Sequence, residues 1–321
     1  NHIRKRQDKG PLGANKDFDI EEAPINDPAI YNLIAKGDTD GVFQLESSGF
    51  KELLKRLKPD CFEDIVAAVA LYRPGPLDSG MVDDYIDRKH GRKKIEYPHP
   101  VCEPILETTY GVIVYQEQVM RIAVSLSGFS MGEADVLRKA MGKKKADVMA
   151  KMRAKFVDGA FEKNGMPKDA CNDLFTLIEK FAGYAFNKSH SAAYALISYQ
   201  TGFLKTYYPV EFMAALLSTE MSTQENVVKY IQSAREHDIS VLPPDVNRSE
   251  RDFSVVRETT RDANGQEVTK SKILFGLGAI KGVGDSAIDT ILEVRKKHTF
   301  GSIYGFTEQV DTKKANRKVL E

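Results

Sequence analysis

Between Ser48 and Asp238 apolar residues recur three and four apart in one segment after another, a spacing that specifies amphipathic helices. Phe50, Leu53, Leu54 and Leu57 line one face of a helix over 48–57, with Lys51, Lys55 and Arg56 on the wet side. Ile65, Val66, Val69 and Ala70 do the same behind a capping box of Asp60 and Glu63, and Arg73-Pro-Gly-Pro76 stops that helix. Val119, Ile122, Ala123 and Leu126 face inward over 116–126, and Cys171, Leu174, Phe175 and Ile178 over 168–179. Gly111 to Tyr115 reads as a short β-branched run, and Ser222-Thr-Gln-Glu225 as a further capping box. The fold class is therefore mainly α.

The pattern changes after Asp238. Residues 252–256 and 271–275 read as two strands joined by a long turn that holds Asn264-Gly265, a small β-hairpin. Gly278-Ala-Ile-Lys-Gly-Val-Gly284 then leads into a helix through Ile288, Ile291 and Leu292, the pattern of a helix-hairpin-helix element. Gly282 and Gly284 leave backbone N–H groups open to a phosphate, so Lys281, Gly282, Val283 and Gly284 are candidate DNA contacts. A glycine C-cap followed by an N-cap would look the same. The chain thus divides into a polar lead-in (1–40), a helical domain (41–240) and a β-hairpin plus helix-hairpin-helix element (241–321).

Composition narrows the function classes. No apolar run approaches the roughly 20 residues of a membrane span, so no membrane partner is expected. The 3 cysteines are widely spaced without a C-x-x-C, and the 6 histidines are scattered, which suits buried thiols in a reducing cytoplasm and excludes a zinc site. Paired carboxylates can hold catalytic metals, but Asp17, Asp19, Asp38 and Asp40 sit at turns without flanking strands, and no metal site is expected. Asp83, Asp84 and Asp87 precede Arg88, Lys89, Arg92, Lys93 and Lys94, which reads as a solvated face with local pairing.

Two stretches carry the chemistry. From Arg138 to Lys155, 8 cations (Arg138, Lys139, Lys143, Lys144, Lys145, Lys151, Arg153 and Lys155) stand against Asp147 alone, a local +7 in a chain whose net charge is +0. Such a run is either a solvated face or the footprint of a polyphosphate or a nucleic-acid backbone. Phe181-Ala-Gly-Tyr-Ala-Phe-Asn-Lys-Ser-His-Ser191 then feeds a helix to Tyr207, capped by Ser189 or Ser191. It is either an ordinary capped loop or an anion site at a helix N-terminus.

Gly41-Val-Phe-Gln-Leu-Glu-Ser47, Arg73-Pro-Gly-Pro76, Tyr115-Gln-Glu-Gln-Val-Met120, Arg138-Lys-Ala-Met-Gly-Lys-Lys-Lys145 and Phe181 to Ser191 occur in this order. With Leu242-Pro-Pro-Asp245 and Gly276 to Gly284, they make the chain resemble the bacterial DNA polymerase III alpha subunits, the C-family replicative DNA polymerases, in their fingers region. The resemblance implies a multi-helical fingers domain that binds the incoming deoxynucleoside triphosphate and template-primer DNA. It implies that Arg138 and Lys139 face the triphosphate and that Asn187, Ser189 and His190 line the nucleotide side, His190 as a positioning donor. Arg73, Lys143, Lys144, Lys145 and Lys188 follow as phosphate or DNA contacts. The family's catalytic carboxylates and their Mg2+ belong to a palm whose motifs do not occur in this sequence, so no catalytic residue and no cofactor is expected in it. Residues 1–40 would connect to that palm, both ends read as cut from a longer chain, and the sliding clamp and other replisome subunits would be partners of the whole. The rival is a stand-alone nucleic-acid-binding module that binds no nucleotide.

Overall fold

A computed structural model describes residues 2–6, 9–14, 17–143, 146–182, 184–261 and 265–320. The chain forms two compact units, one of residues 24–199 and one of residues 1–23 with 200–321. Each is helical, apart from two small sheets in the second.

The 24–199 unit opens with α1 (Pro28–Ala35), which has proline at its first turn and Asp27 accepting from the Ala29 N–H at 2.9 Å. In α2 (Ser48–Leu57) the four expected apolar residues are all buried, and Ser47 caps the start. α3 (Phe62–Leu71) has no side-chain cap, so the expected Asp60/Glu63 box is absent. Asp64 accepts from the Asp60 N–H instead. The prolines after Arg73 do not merely end α3; they begin a helix of their own, α4 (Pro74–Asp78), because a proline's missing N–H costs nothing at a first turn. α5 (Met81–Lys89) follows, with Lys93 on Asp84 and Arg92 on Asp87 as expected of local pairing, whereas Asp83 takes Arg56 of α2.

After α6 (Glu103–Leu106), the run 111–115 is not a strand. The buried Gln118 side chain accepts from the Val114 and Tyr115 N–H groups at 2.8 and 3.0 Å and donates to Thr109 Oγ1 at 2.7 Å, doing the work of a partner strand. α7 (Gln116–Ser127), α8 (Met131–Gly142), α9 (Ala146–Asn164) and α10 (Lys168–Ala182) share one core that includes Ile122, Leu126, Leu137, Phe156, Phe175 and Ile178. α11 (Lys188–Tyr207) starts in this unit. Cys102 and Cys171 are buried thiols as expected, whereas Cys61 is exposed.

The other unit holds a two-residue hairpin, β1 (Lys9–Gly10) with β2 (Gly13–Ala14), then α12 (Pro209–Thr219) and α13 (Gln224–Glu236). The three-stranded sheet runs β3 (Val241–Leu242), β5 (Glu267–Leu274), β4 (Ser254–Arg261), with β3 parallel and β4 antiparallel to the centre. The two long strands extend beyond their apolar ends because polar cross-strand pairs continue the ladder, among them Lys272 with Glu258 at 2.6 Å and Thr259 with Thr269 at 2.9 Å. Asn264 of the expected turn lies outside the described residues.

The first helix of the expected hairpin element is a single 3-10 turn (Leu277–Ala279), followed by α14 (Asp285–Arg295), α15 (Ile303–Gln309) and α16 (Arg317–Leu320). The strap 249–252 grips it. Leu277 and Gly278 N–H groups donate to the Glu250 and Arg251 carbonyls at 2.9 Å. Arg295 reaches Ser249 O and Glu250, and Arg251 reaches Asp285 and Asp289.

Among the described residues of the 24–199 unit, the Lys89–Asp64 ion pair is buried. Lys89 Nζ lies 2.7 Å from Asp64, with side chains 5% and 1% exposed, and 2.8 Å from the exposed Asp60. Burial alone would lower the Lys89 pKa, but the hydrogen bonds to Asp60 and Asp64 outweigh it and hold the ammonium above its ordinary 10.5. Its contribution to stability is therefore fully present below pH 10.5 and is lost only as pH rises through the raised value. Asp64→Ala strands the buried ammonium and is expected to cost about 3–5 kcal/mol in urea unfolding. Asp60→Ala removes an exposed partner and should cost under about 1 kcal/mol. Equal costs would refute this reading.

Candidate functional site

The stretch from Tyr184 to Ser191 is fixed by neighbours distant in sequence. Phe186 forms an isolated parallel bridge with Tyr115: its N–H donates to Val114 O at 3.1 Å, and its carbonyl accepts from Gln116 N–H at 2.9 Å. Gln116 Nε2 donates to Ala185 O at 3.2 Å, and the Lys188 N–H donates to the Glu117 carboxylate at 3.0 Å. Sequence spacing points to Ser189 or Ser191 as the cap of α11; the cap is Asn187, whose Oδ1 accepts from the His190 N–H at 2.9 Å. Ser191 is buried, its hydroxyl turned back onto the Asn187 and Lys188 carbonyls, and Ser189 is exposed on the first turn.

Arg73 meets this stretch. Its Nε donates to Ala70 O at 2.7 Å and its Nη2 to Tyr184 O at 2.6 Å, and the guanidinium lies 4.3 Å from the Phe186 ring centroid. Gly75 makes the approach possible, since a Cβ there would fall inside the Tyr184 ring. His190 stacks on Tyr194 at 4.2 Å and stands edge-on to Phe186 at 5.3 Å. Arg73, Phe186, His190 and Tyr194, with Gln44 and Tyr72, line a cavity of about 320 Å³. Val69, expected in the core, is half-buried because it forms part of the same wall.

The electrostatics single out Arg73. It is half-buried, burial lowers its pKa, and among the described residues no carboxylate pairs with it. A desolvated cation without a counter-ion beside a polar cavity is the arrangement an anion completes. Gln44, Tyr72 and Tyr194 were missed as site residues. Tyr72 and Gln44 lie in or beside the quoted motifs, but nothing in their spacing marks them as lining a cavity.

The basic segment behaves differently. Arg138 and Lys139 both pair with Asp135 at 2.7 Å, and neither is among the residues lining the cavity. Arg153 pairs with Glu179 and Lys155 with Glu133. Counting charge between 138 and 155 overlooks Glu133 and Asp135 just upstream and Glu179 brought in by α10. Lys143 at the end of α8 and Lys151 remain without an acidic partner among the described residues. Lys144 and Lys145 lie outside them. Lys188 is engaged by Glu63 at 3.0 Å and lies 5.4 Å from the Tyr115 ring centroid.

The hairpin candidates lie in the other unit. Gly282 has φ +90, a conformation that suits glycine, and Gly284 caps α14 with its own side open. Lys281 is exposed, and the Lys318 side chain approaches the Gly282 Cβ position at 4.0 Å. Arg251 on Asp285 and Asp289 offsets the acidic charge of the first turns of α14, where an anion would otherwise be repelled.

Asp60, Cys61 and Asp64 bring ligand atoms within 4.8 Å of one another. The Lys89 ammonium already spans both carboxylates, so this donor set does not fit a catalytic cation.

The chain matches the model of the bacterial DNA polymerase III alpha subunit finger domain over residues 2–164 and that of the helix-hairpin-helix motif over residues 238–321. It is 52% identical over 307 residues to DNA polymerase III subunit alpha of Campylobacter jejuni, covering 96% of this chain and 25% of that one. Against DNA polymerase III subunit alpha of Escherichia coli strain K12 it is 49% identical over 325 residues, covering 99% and 27%. Against that of Aquifex aeolicus it is 51% identical over 306 residues, covering 95% and 25%. The chain spans about a quarter of the length of these relatives.

The internal neutralisation of the basic segment is testable by pH. Lys155, together with the Ser130 N–H and hydroxyl, holds the Glu133 carboxyl at about 2, against an ordinary 4.5. The stabilisation is present above pH 4.5 and lost as pH falls toward about 2. In Lys155→Met the Glu133 carboxyl, followed by NMR titration, should move back up; an unchanged titration would show that the pair does not form.

Proposed function

Because the chain belongs to the bacterial DNA polymerase III alpha subunit finger-domain family, we propose that it is the fingers region of a DNA-directed DNA polymerase that binds the incoming deoxynucleoside triphosphate and template-primer DNA during chromosomal replication. The observation that carries this is Arg73: a half-buried cation without a counter-ion among the described residues, in a cavity shared with His190 and beside the N-terminus of α11. A phosphate there would gain a charge-assisted contact from Arg73, and Asn187, Ser189 and His190 stand at the helix end that favours negative charge. Arg138 and Lys139 would join as triphosphate contacts by exchanging Asp135 for phosphate oxygens. Lys143, Lys144, Lys145 and Lys188 would follow the nucleic-acid backbone. In the other unit Lys281 to Gly284 would hold duplex phosphates without reading sequence.

In this reading residues 1–40 connect to a palm elsewhere in the parent enzyme, 41–240 are the fingers, and 241–321 carry the hairpin and helix-hairpin-helix element. The palm would supply the carboxylates and Mg2+, and since no donor set described here fits that ion, no step of the reaction is assigned to this chain. The rest of the polymerase chain, the sliding clamp and other replisome subunits would be its partners, in the cytoplasm.

The chain alone should extend no primer. Titrated with deoxynucleoside triphosphate in the presence and absence of primer-template, it should bind nucleotide saturably. Arg73→Ala should weaken that binding by about 10-fold or more, as expected for a charged hydrogen bond of about 1.5–3 kcal/mol. DNA binding with a steep salt dependence, unaffected by nucleotide and by Arg73→Ala, would instead identify a nucleic-acid-binding module.

A further inference from the structure

The turn before α2 holds one side chain out of an otherwise anchored backbone. Thr39, Val42 and Leu45 are fully buried. Thr39 Oγ1 donates to Leu45 O at 2.6 Å, the Leu45 N–H to Val42 O at 3.1 Å, and the Gly41 N–H to the Glu46 carboxylate at 3.2 Å. Between these anchors Gln44 adopts φ +66, the left-handed region that a residue with a Cβ enters only under strain. Glycine or asparagine would make the turn more comfortably. The Gln44 side chain is exposed, its carboxamide has no hydrogen-bond partner among the described residues, and it lines the cavity with Arg73, His190 and Tyr194. A solvent-exposed amide carried by a strained, well-anchored turn at a cavity wall is free to meet a ligand.

Its chemistry says what it takes. Arg73 is the only cation among the residues lining the cavity, so phosphate belongs at Arg73 and Gln44 meets an uncharged part of the ligand. A templated site must accept every base pair. A fixed contact to the major-groove edge would select one base, whereas the minor-groove edge offers an acceptor, purine N3 or pyrimidine O2, on all of them. We propose that the Gln44 carboxamide N–H donates a hydrogen bond to this shared minor-groove acceptor of the nascent base pair, reading pair geometry rather than sequence. This rests on the cavity being a nucleotide site.

The test uses the complete polymerase chain and single-turnover nucleotide incorporation. Gln44→Ala and Gln44→Gly both remove the amide, and the glycine variant also relieves the left-handed strain, so its melting temperature should not fall. Both should raise the apparent Kd for all four deoxynucleoside triphosphates by about 2- to 12-fold, the range of one neutral hydrogen bond. With the unmodified chain, 3-deaza-dGTP, which lacks the N3 acceptor, should show a similar loss relative to dGTP, and in Gln44→Ala that difference should disappear. The inference is overturned if the Gln44 variants bind as the parent does, or if the 3-deaza loss persists undiminished in Gln44→Ala. Arg73→Ala separates the two levels: a loss there with none at Gln44 refutes only the role of Gln44, and no loss at either position refutes the nucleotide reading of the cavity.

Discussion

The geometry of the cavity depends on where α3 is held, and α3 is held by a buried charge. Asp64 on its first turn receives Lys89 from α5, the Asp60 N–H and the Tyr110 hydroxyl at 3.3 Å. A buried carboxylate is costly, and only such a full set of donors offsets the loss of hydration. The consequences run along the helix in both directions. Glu63, the residue before, anchors Lys188 at the start of α11. At the other end Val69, Tyr72 and Arg73 form part of the cavity wall. One satisfied network thereby sets the α11 cap and the cavity cation in a common frame, although neither touches Asp64.

The same economy of fixed polar partners recurs around the site. Gln118 replaces a strand, Asn187 replaces the serine cap, and Thr39 clasps the turn that carries Gln44. Each is a side chain that completes backbone hydrogen bonding locally, so these loops have their polar groups satisfied without belonging to a sheet. Strain at Gln44 can persist because the buried residues around it over-determine the turn.

This explains what was legible in the sequence. Period and burial agree: Phe50, Leu53, Leu54 and Leu57, and likewise Cys171, Leu174, Phe175 and Ile178, face the core as their spacing requires, because apolar periodicity is a property of one segment. The helix-hairpin-helix end was readable from its glycines for the same reason. Caps were less readable, since Ser-x-x-Glu-type patterns compete with any carboxylate or amide that folding brings nearby, as Asp64 does at α3. The cavity was legible only as separate motifs. Arg73 meets Phe186 across more than a hundred residues of chain, and no local pattern encodes that meeting. The β-branched run over 111–115 joins no sheet: its Val114 and Tyr115 N–H groups go to the Gln118 side chain, which no local pattern foretells.

Two kinds of cation emerge, and their physics differs. Arg138 is half-buried and Lys139 exposed, and both already share Asp135, so binding a phosphate would exchange one acceptor for another near the surface, where an ion pair of this kind contributes little. Arg73 has been partly taken out of water by folding, and among the described residues its partners are carbonyl oxygens and an aromatic face. An anion arriving there replaces no existing partner and meets a donor whose geometry is set in advance by Ala70 and Tyr184. A local charge sum does not distinguish these two environments. In the segment with the largest excess of positive charge, Arg138, Lys139, Arg153 and Lys155 already have carboxylate partners, whereas the arginine beside the proline turn has none among the described residues.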